Sequence, residues 1–223
     1  MNMTEMAYTL VFGLTADPIH KGHQQVILNS FAFADRHDLN IKEFLLVPTY
    51  QPNLIANKSE PRTAFKHRLA MCQELAQELH QQHHLPIAAS AIEAQLFKQQ
   101  PDQDYKSYSY DTLKALSSDD VLFVLSADHF AGRWPKFRKW YQWQSLVEEF
   151  GLMIHQRPGH RINAAFVNQL RSINSNIFVV TDLPDFPTSS THIRQQLQNS
   201  KSQAHKDLPE VVWQYISHHG LYQ

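Results

Sequence analysis

Gly13-Leu14-Thr15-Ala16-Asp17-Pro18-Ile19-His20-Lys21-Gly22-His23 stands where one periodicity gives way to another. Before it, Tyr8 to Leu14 is a strand-like apolar run. After it, between Gly22 and His37, the residues Val26, Ile27, Phe31 and Ala34 fall on one helical face. A strand feeding a helix through such a turn leaves main-chain N–H groups unpaired at the positive end of the helix dipole, where anions are attracted. His20 and His23 flank the turn, and imidazole is the side chain most easily charged near neutral pH. Chance places His-x-Gly-His only about 0.02 times in a chain of this composition. Two helix-capping histidines would explain the motif without chemistry. Beside a polyphosphate, both imidazoles are expected to be protonated and to converge with the amides on its oxygens.

Outward from this turn, short apolar runs alternate with longer amphipathic ones. Phe44 to Val47, Ile87 to Ala89, Val121 to Leu125, Gly151 to His155 and Ile177 to Val180 read as strands. Phe65, Leu69, Cys72, Leu75, Ala76 and Leu79 mark a long helix, with Cys72 on its buried stripe as a small hydrophobe. Stretches near 143–150, 162–171, 190–199 and 209–218 read as further helices. The alternation predicts an α/β fold: a doubly wound, Rossmann-like parallel sheet with helices on both faces and a small C-terminal helical part. Residues 1–187 form the main domain in this reading and 188–223 the C-terminal part. Lys201 to Leu208 is expected to be a hinge before the last helix.

Bulk composition narrows the function classes. The 223 residues carry a formal net charge of -1 at pH 7, so no general basicity argues for nucleic acid. Cys72 is the one cysteine, which excludes an intrachain disulfide and fits a reducing compartment. No secretory signal and no apolar run of about 18 residues is visible, so a cytoplasmic protein with no membrane partner is expected. His80 and His84 could share a helix face, but a pair without further ligands is a poor metal site.

Three further stretches carry chemistry. Thr188-Ser189-Ser190-Thr191-His192-Ile193-Arg194 places hydroxyls at a helix start, where they cap it or bind phosphate, and adds a forked cationic donor. Ser126-Ala127-Asp128 ends a strand with a carboxylate, a helix cap or an acceptor for ligand hydroxyls. Arg133 to Trp143 interleaves bases with aromatics. That pattern fits a single-strand nucleic-acid platform, a stacking wall for one nucleotide, or a helix edge packed on the core.

The first turn resembles the Gly-Gly-Thr-Phe-Asp-Pro-x-His-x-Gly-His signature of nicotinate mononucleotide adenylyltransferases, within the wider nucleotidyltransferase superfamily. Thr188 to Arg194 is similar to that family's Ile-Ser-Ser-Thr-x-Ile-Arg. Lys106-Ser107-Tyr108-Ser109-Tyr110-Asp111-Thr112-Leu113 is similar to Pro-Ser-Tyr-Thr-x-Asp-Thr-Leu, and His67-Arg68-Leu69-Ala70-Met71 and Val211 to Tyr222 also match. The resemblance implies transfer of the adenylyl group of ATP to nicotinate mononucleotide, giving deamido-NAD and pyrophosphate. It implies His20, His23 and Arg194 as catalytic residues. Gly13, Thr15, Asp128, Ser189, Ser190 and Thr191 would surround ATP. Ser107, Tyr108, Ser109, Trp140 and Tyr141 would surround the pyridine mononucleotide. Lys58 is a weaker phosphate candidate. No protein metal cage is visible, so Mg²⁺ is expected to arrive with ATP. A homo-oligomer is compatible with this reading. Leu14, Ala16 and Ser126 stand where the family has glycine, an aromatic and glycine, and a leucine at 14 is expected to narrow or reshape the pocket. These departures leave open a transferase for nicotinamide mononucleotide or another phosphate substrate, and a non-catalytic nucleotide-binding relative.

Overall fold

Alternate residues of the strands are apolar on both sides, so the sheet has to be covered twice. In the computed structural model, which describes residues 6–52, 60–100, 105–116, 120–199 and 201–222, a hydrophobic core lies on each face of the sheet. The strands are β1 (Ala7–Leu14), β2 (Asn40–Pro48), β3 (Ile87–Ala89), β4 (Val121–Ser126), β5 (Gly151–His155) and β6 (Ile177–Val180). All pair in parallel, in the order β3-β2-β1-β4-β5-β6. The chain leaves β1 toward β2 on one side and later returns to lay β4 on the other. That reversal opens a crevice at the carboxyl ends of β1 and β4.

Nine helices among the described residues surround the sheet: α1 (Lys21–Arg36), α2 (Phe65–His83), α3 (Ile92–Gln99), α4 (Ser109–Ala115), α5 (Trp143–Glu149), α6 (Ala164–Ile173), α7 (Ser190–Asn199), α8 (Lys201–Asp207) and α9 (Glu210–His218). One core joins Leu10, Phe12 and Leu14 of β1 to Ile27 of α1, Met71 and Leu75 of α2, Ile193 of α7 and Ile216 of α9. The other joins Val11, Phe123 and Ile154 to Leu113 of α4, Leu146 of α5 and Phe166 and Leu170 of α6. Each such side chain contributes about 1.5–3 kcal/mol when fully buried. Cys72 is fully buried, and burial pushes its thiol up to about 12, as befits a core residue.

The strands lie where their apolar runs indicate, though β2 begins four residues earlier than its run. The hinge is corrected. Lys201 to Asp207 is α8, because Ala204 and Leu208, four apart and 0% and 1% exposed, fasten an otherwise polar stretch to the first core. Helix α3, which the sequence reading left unassigned, is short and buries Glu93 and Ala94.

Candidate active site

The first turn begins as β1 ends. Gly13 is exposed at the strand's carboxyl end, and the chain passes through Ala16 at φ 54° to reach His20, the N-cap of α1. His20 Nδ1 accepts the amide of Gly22 at 3.1 Å, and His23 Nδ1 accepts the amide of His20 at 3.2 Å. The two rings lie against each other, with centroids 3.7 Å apart. This reciprocal cap assigns the tautomer: with Nδ1 accepting, each ring carries its proton on Nε2. Gly22 allows the packing, since a Cβ there would come within 2.9 Å of His20 Cε1 and 3.1 Å of the Phe186 carbonyl oxygen.

The protein's own surroundings favour neutral imidazoles. Burial first, then His23 and Arg157, hold His20 well below the ordinary imidazole range. Burial and Arg157 bring His23 down to about 3, although the residue is half-buried rather than wholly enclosed. A second proton on either ring would also break the cap. Capping uses the Nδ1 edge of each ring and leaves its Nε2–H outside the cap.

The second phosphate element meets the first directly. Ser190 Oγ donates to the Pro18 carbonyl oxygen at 3.0 Å, and Arg194 Nη1 to that of Asp17 at 2.6 Å. Arg194 Nη2 donates to Thr191 Oγ1 at 3.2 Å. Ser189 Oγ accepts the His192 amide at 3.2 Å and so caps α7. Thr15 is exposed beside them, and its carbonyl oxygen accepts from Arg68 at 2.7 Å.

At the end of β4, Asp128 sits in a single 3₁₀ turn, Ala127–His129. Burial alone would raise its carboxyl, but His129, a hydrogen bond from Ser126, Arg157 and His160 hold it below the usual range. Arg157 Nη1 stands 3.8 Å from Asp128 Oδ1. Ser126 thus gives the carboxylate a donor that glycine would lack.

Ser107 is tied to the end of β2: its amide donates to the Gln51 carbonyl oxygen at 2.8 Å, and its Oγ accepts the Gln51 amide at 3.2 Å. Ser109 starts α4. Tyr108 and Tyr141 pack with ring centroids 4.6 Å apart, and Trp140 lies 5.0 Å from His129. The aromatic and basic segment divides in two. Phe137, Trp140 and Trp143 pack toward the second core, while Trp134 and Tyr141 remain exposed. Among the three readings of that segment, core packing takes the larger part. Lys58 lies outside the described residues.

The Leu14 side chain is buried with Leu10 and Phe12 in the first core. His80 Nδ1 is bonded with the Leu85 carbonyl oxygen, and no group of three His, Cys, Asp or Glu among the described residues is arranged to hold a metal. No helix among them is long and apolar enough to cross a membrane.

Sequence reasoning missed five residues. Asp17 is 2% exposed and accepts the Arg62 amide and the Tyr222 hydroxyl, both at 2.8 Å. Arg68 donates to the Thr15 and Thr49 carbonyl oxygens, both at 2.7 Å, binding the ends of β1 and β2 together. Glu93 accepts the Tyr50 amide at 2.8 Å and the Thr112 hydroxyl at 3.3 Å beneath the Ser107 turn. Arg157 and Tyr222 complete the set. Asp17, Arg68 and Tyr222 stand in stretches that match the related signatures but were given no role there, and Arg157 stands just past the carboxyl end of a buried strand.

Two recesses flank this frame. One of about 150 Å³ lies beside Arg157, at the carboxyl ends of β5 and β6, lined by Asn29, His155, Pro158, Val180 and Leu183. A larger one of about 470 Å³, lined by Met6, Tyr8, Asp35 and Asp38, lies at the amino end of β1, away from these residues.

The model of the cytidylyltransferase-like family matches residues 11–196. A Pseudomonas putida protein named "Probable nicotinate-nucleotide adenylyltransferase" is 28% identical over 233 residues, covering 96% of this chain and 89% of its own. One of the same name from Hydrogenovibrio crunogenus is 29% identical over 224 residues, 95% of each chain. In fold, the chain is similar to Plasmodium falciparum nicotinic acid mononucleotide adenylyltransferase complexed with NaAD. That likeness has a TM-score of 0.69 and 19% identity, over 97% of this chain and 98% of the other.

Proposed function

The chain belongs to the cytidylyltransferase-like family, and on that premise we propose that it joins nicotinate mononucleotide to the adenylyl group of ATP, a step of NAD biosynthesis. The similar proteins from Pseudomonas putida and Hydrogenovibrio crunogenus, with names that state this activity, support the reading. The observation that carries it is the meeting of two distant phosphate-type turns, Ser190 on Pro18 and Arg194 on Asp17.

A 5′-phosphate oxygen of the mononucleotide attacks the α-phosphorus of ATP in line. The bond from that phosphorus to the bridging oxygen breaks, and pyrophosphate leaves. Such a transfer asks for positioning and charge stabilisation rather than a protein nucleophile. The Nε2–H groups of His20 and His23 and the guanidinium of Arg194 donate to the polyphosphate oxygens as charge shifts to the leaving group. Gly13 and Thr15 leave room for close approach, and the hydroxyls of Ser189 and Thr191 border the same crevice. Asp128, held ionised, accepts from ribose hydroxyls. The recess beside Arg157 takes the purine. The Ser107 to Ser109 turn, with Tyr108, Trp140 and Tyr141, receives the pyridine ring, and stacking there contributes about 1–3 kcal/mol. Residues 188–223 are the C-terminal helical part that carries the second phosphate turn. Family members commonly use a divalent metal, and with no carboxylate cage among the described residues, Mg²⁺ would be carried by the ATP phosphates, whose charge it neutralises.

The test is incubation with ATP, Mg²⁺ and either nicotinate or nicotinamide mononucleotide, with separate detection of dinucleotide and pyrophosphate. Deamido-NAD formed in preference to NAD is the expected result. ATP binding with no pyrophosphate released from either mixture would reject the transferase reading.

A further inference from the structure

Asp17 lies beneath the phosphate turn with both carboxylate oxygens occupied by neutral donors. Oδ1 accepts the Tyr222 hydroxyl and Oδ2 the Arg62 amide, each at 2.8 Å. The nearest cation, Arg194 Nη1, stands 3.7 Å from Oδ2 and bonds instead to the Asp17 carbonyl oxygen at 2.6 Å. An Arg–carboxylate pair left to itself closes to about 2.7–2.9 Å, often through both oxygens. Here the pair stays open, with the oxygen that faces Arg194 taken by the Arg62 amide and the other by Tyr222, although the two groups are neighbours and Asp17 is 2% exposed. A closed pair would satisfy the guanidinium and hold it back from a phosphate.

We propose that Tyr222 is a positioning residue: by anchoring Oδ1, its hydroxyl fixes the rotation of the Asp17 carboxylate, so that Oδ2 stays with the Arg62 amide and off Arg194 and that guanidinium stays available to the polyphosphate. The hydroxyl comes from 205 positions along the chain. Its placement follows from α9, whose Val212 and Ile216 sit in the first core, and from the Leu221 amide, which donates to the Ile216 carbonyl oxygen at 3.1 Å. Burial, then the adjoining Asp17, push the phenol far above its ordinary range, so it remains a donor at any physiological pH. The role differs from packing in one respect: its loss is relieved when the carboxylate is also removed.

This inference rests on the reading of the crevice as an ATP site, and its test separates the two. Tyr222→Phe keeps the ring and removes the hydroxyl. The KM for ATP is expected to rise about tenfold and kcat to fall, with the KM for the mononucleotide within twofold of wild type and the thermal midpoint nearly unmoved. Adding Asp17→Asn to Tyr222→Phe is expected to recover most of the affinity for ATP. A Tyr222→Phe protein with unchanged ATP parameters overturns the proposal, and so does a loss that a folded double variant fails to relieve. Should the double variant not fold, titration of Tyr222→Phe with a non-hydrolysable ATP analogue still decides, since unchanged affinity overturns the role and weakened affinity with an unmoved thermal midpoint supports it. That titration needs no turnover. It stands even if the substrate panel rejects adenylyl transfer.

Discussion

Arg194 and Asp17, 177 positions apart in the chain, are joined at 2.6 Å by a hydrogen bond from the guanidinium to the main-chain oxygen. A flexible ammonium would reach that oxygen but could not at the same time meet Thr191 and a phosphate. Arg194→Lys is expected to lower kcat on the order of 10²-fold while the circular dichroism spectrum is unchanged. Turnover within threefold of wild type would remove Arg194 from the chemistry.

His23 serves two ends at once, which makes its substitutions informative. His23→Ala loses both the cap and the donor, so turnover falls on the order of 10²–10³-fold and stability by about 1 kcal/mol. His23→Asn offers an acceptor to the His20 amide again and is expected to regain the stability but not the turnover. Urea unfolding and pyrophosphate release, measured on the same preparations, separate the two effects.

Leu14 stands where the related signature has glycine, yet it is a core residue, 7% exposed. Leu14→Gly is expected to cost about 3–5 kcal/mol, through lost burial and added chain entropy, and to leave the KM values unimproved. Tighter substrate binding in the variant would show that the leucine does crowd the crevice.

Ser126 supports Asp128 by a hydrogen bond, and its removal returns that position to the glycine of the related signature. Ser126→Gly is expected to raise the Asp128 pKa and to weaken ATP binding roughly fivefold, the equivalent of about 1 kcal/mol. Calorimetric titration at two pH values reads both changes.

His155 is buried at the end of β5 with Nε2 2.9 Å from Ser30 Oγ, and burial lowers it to about 4. The unfolded chain, titrating near 6.5, takes up its proton first as pH falls. Stability is therefore fully present above about 6.5 and is lost as pH drops toward 4, by about 2 kcal/mol at pH 5 from this group. Urea midpoints of the wild type and His155→Gln between pH 7.5 and 5 test it; equal slopes would contradict the assignment.

The sequence shows the strands because Leu10, Leu122 and their neighbours are apolar on both sides, a signal local to a few residues. It shows His20 and His23 because their spacing is rare. Tyr222 and Asp17 lie in stretches that drew notice, but their meeting did not, because a hydroxyl and a carboxylate 205 positions apart share no local pattern. Sequence also does not reveal which ring edge the main chain already holds, and so gives no tautomer for His20 and His23. Trp140 and Tyr141 look alike as neighbours in a row, and only packing shows that one leans on the core while the other faces outward.

The crossed imidazoles at the head of α1 also limit what substitution can reach. Serine, aspartate and asparagine all terminate helices well, but each works with a short side chain on one side of the peptide plane. Imidazole is rigid and places its two nitrogens on opposite flanks, so one ring grips the backbone and still reaches outward. With Gly22 wedged between His20 and the Phe186 carbonyl, no larger neighbour fits without pushing a ring aside. Variation at these three positions is therefore interlocked: a change at one would have to be answered at the other two.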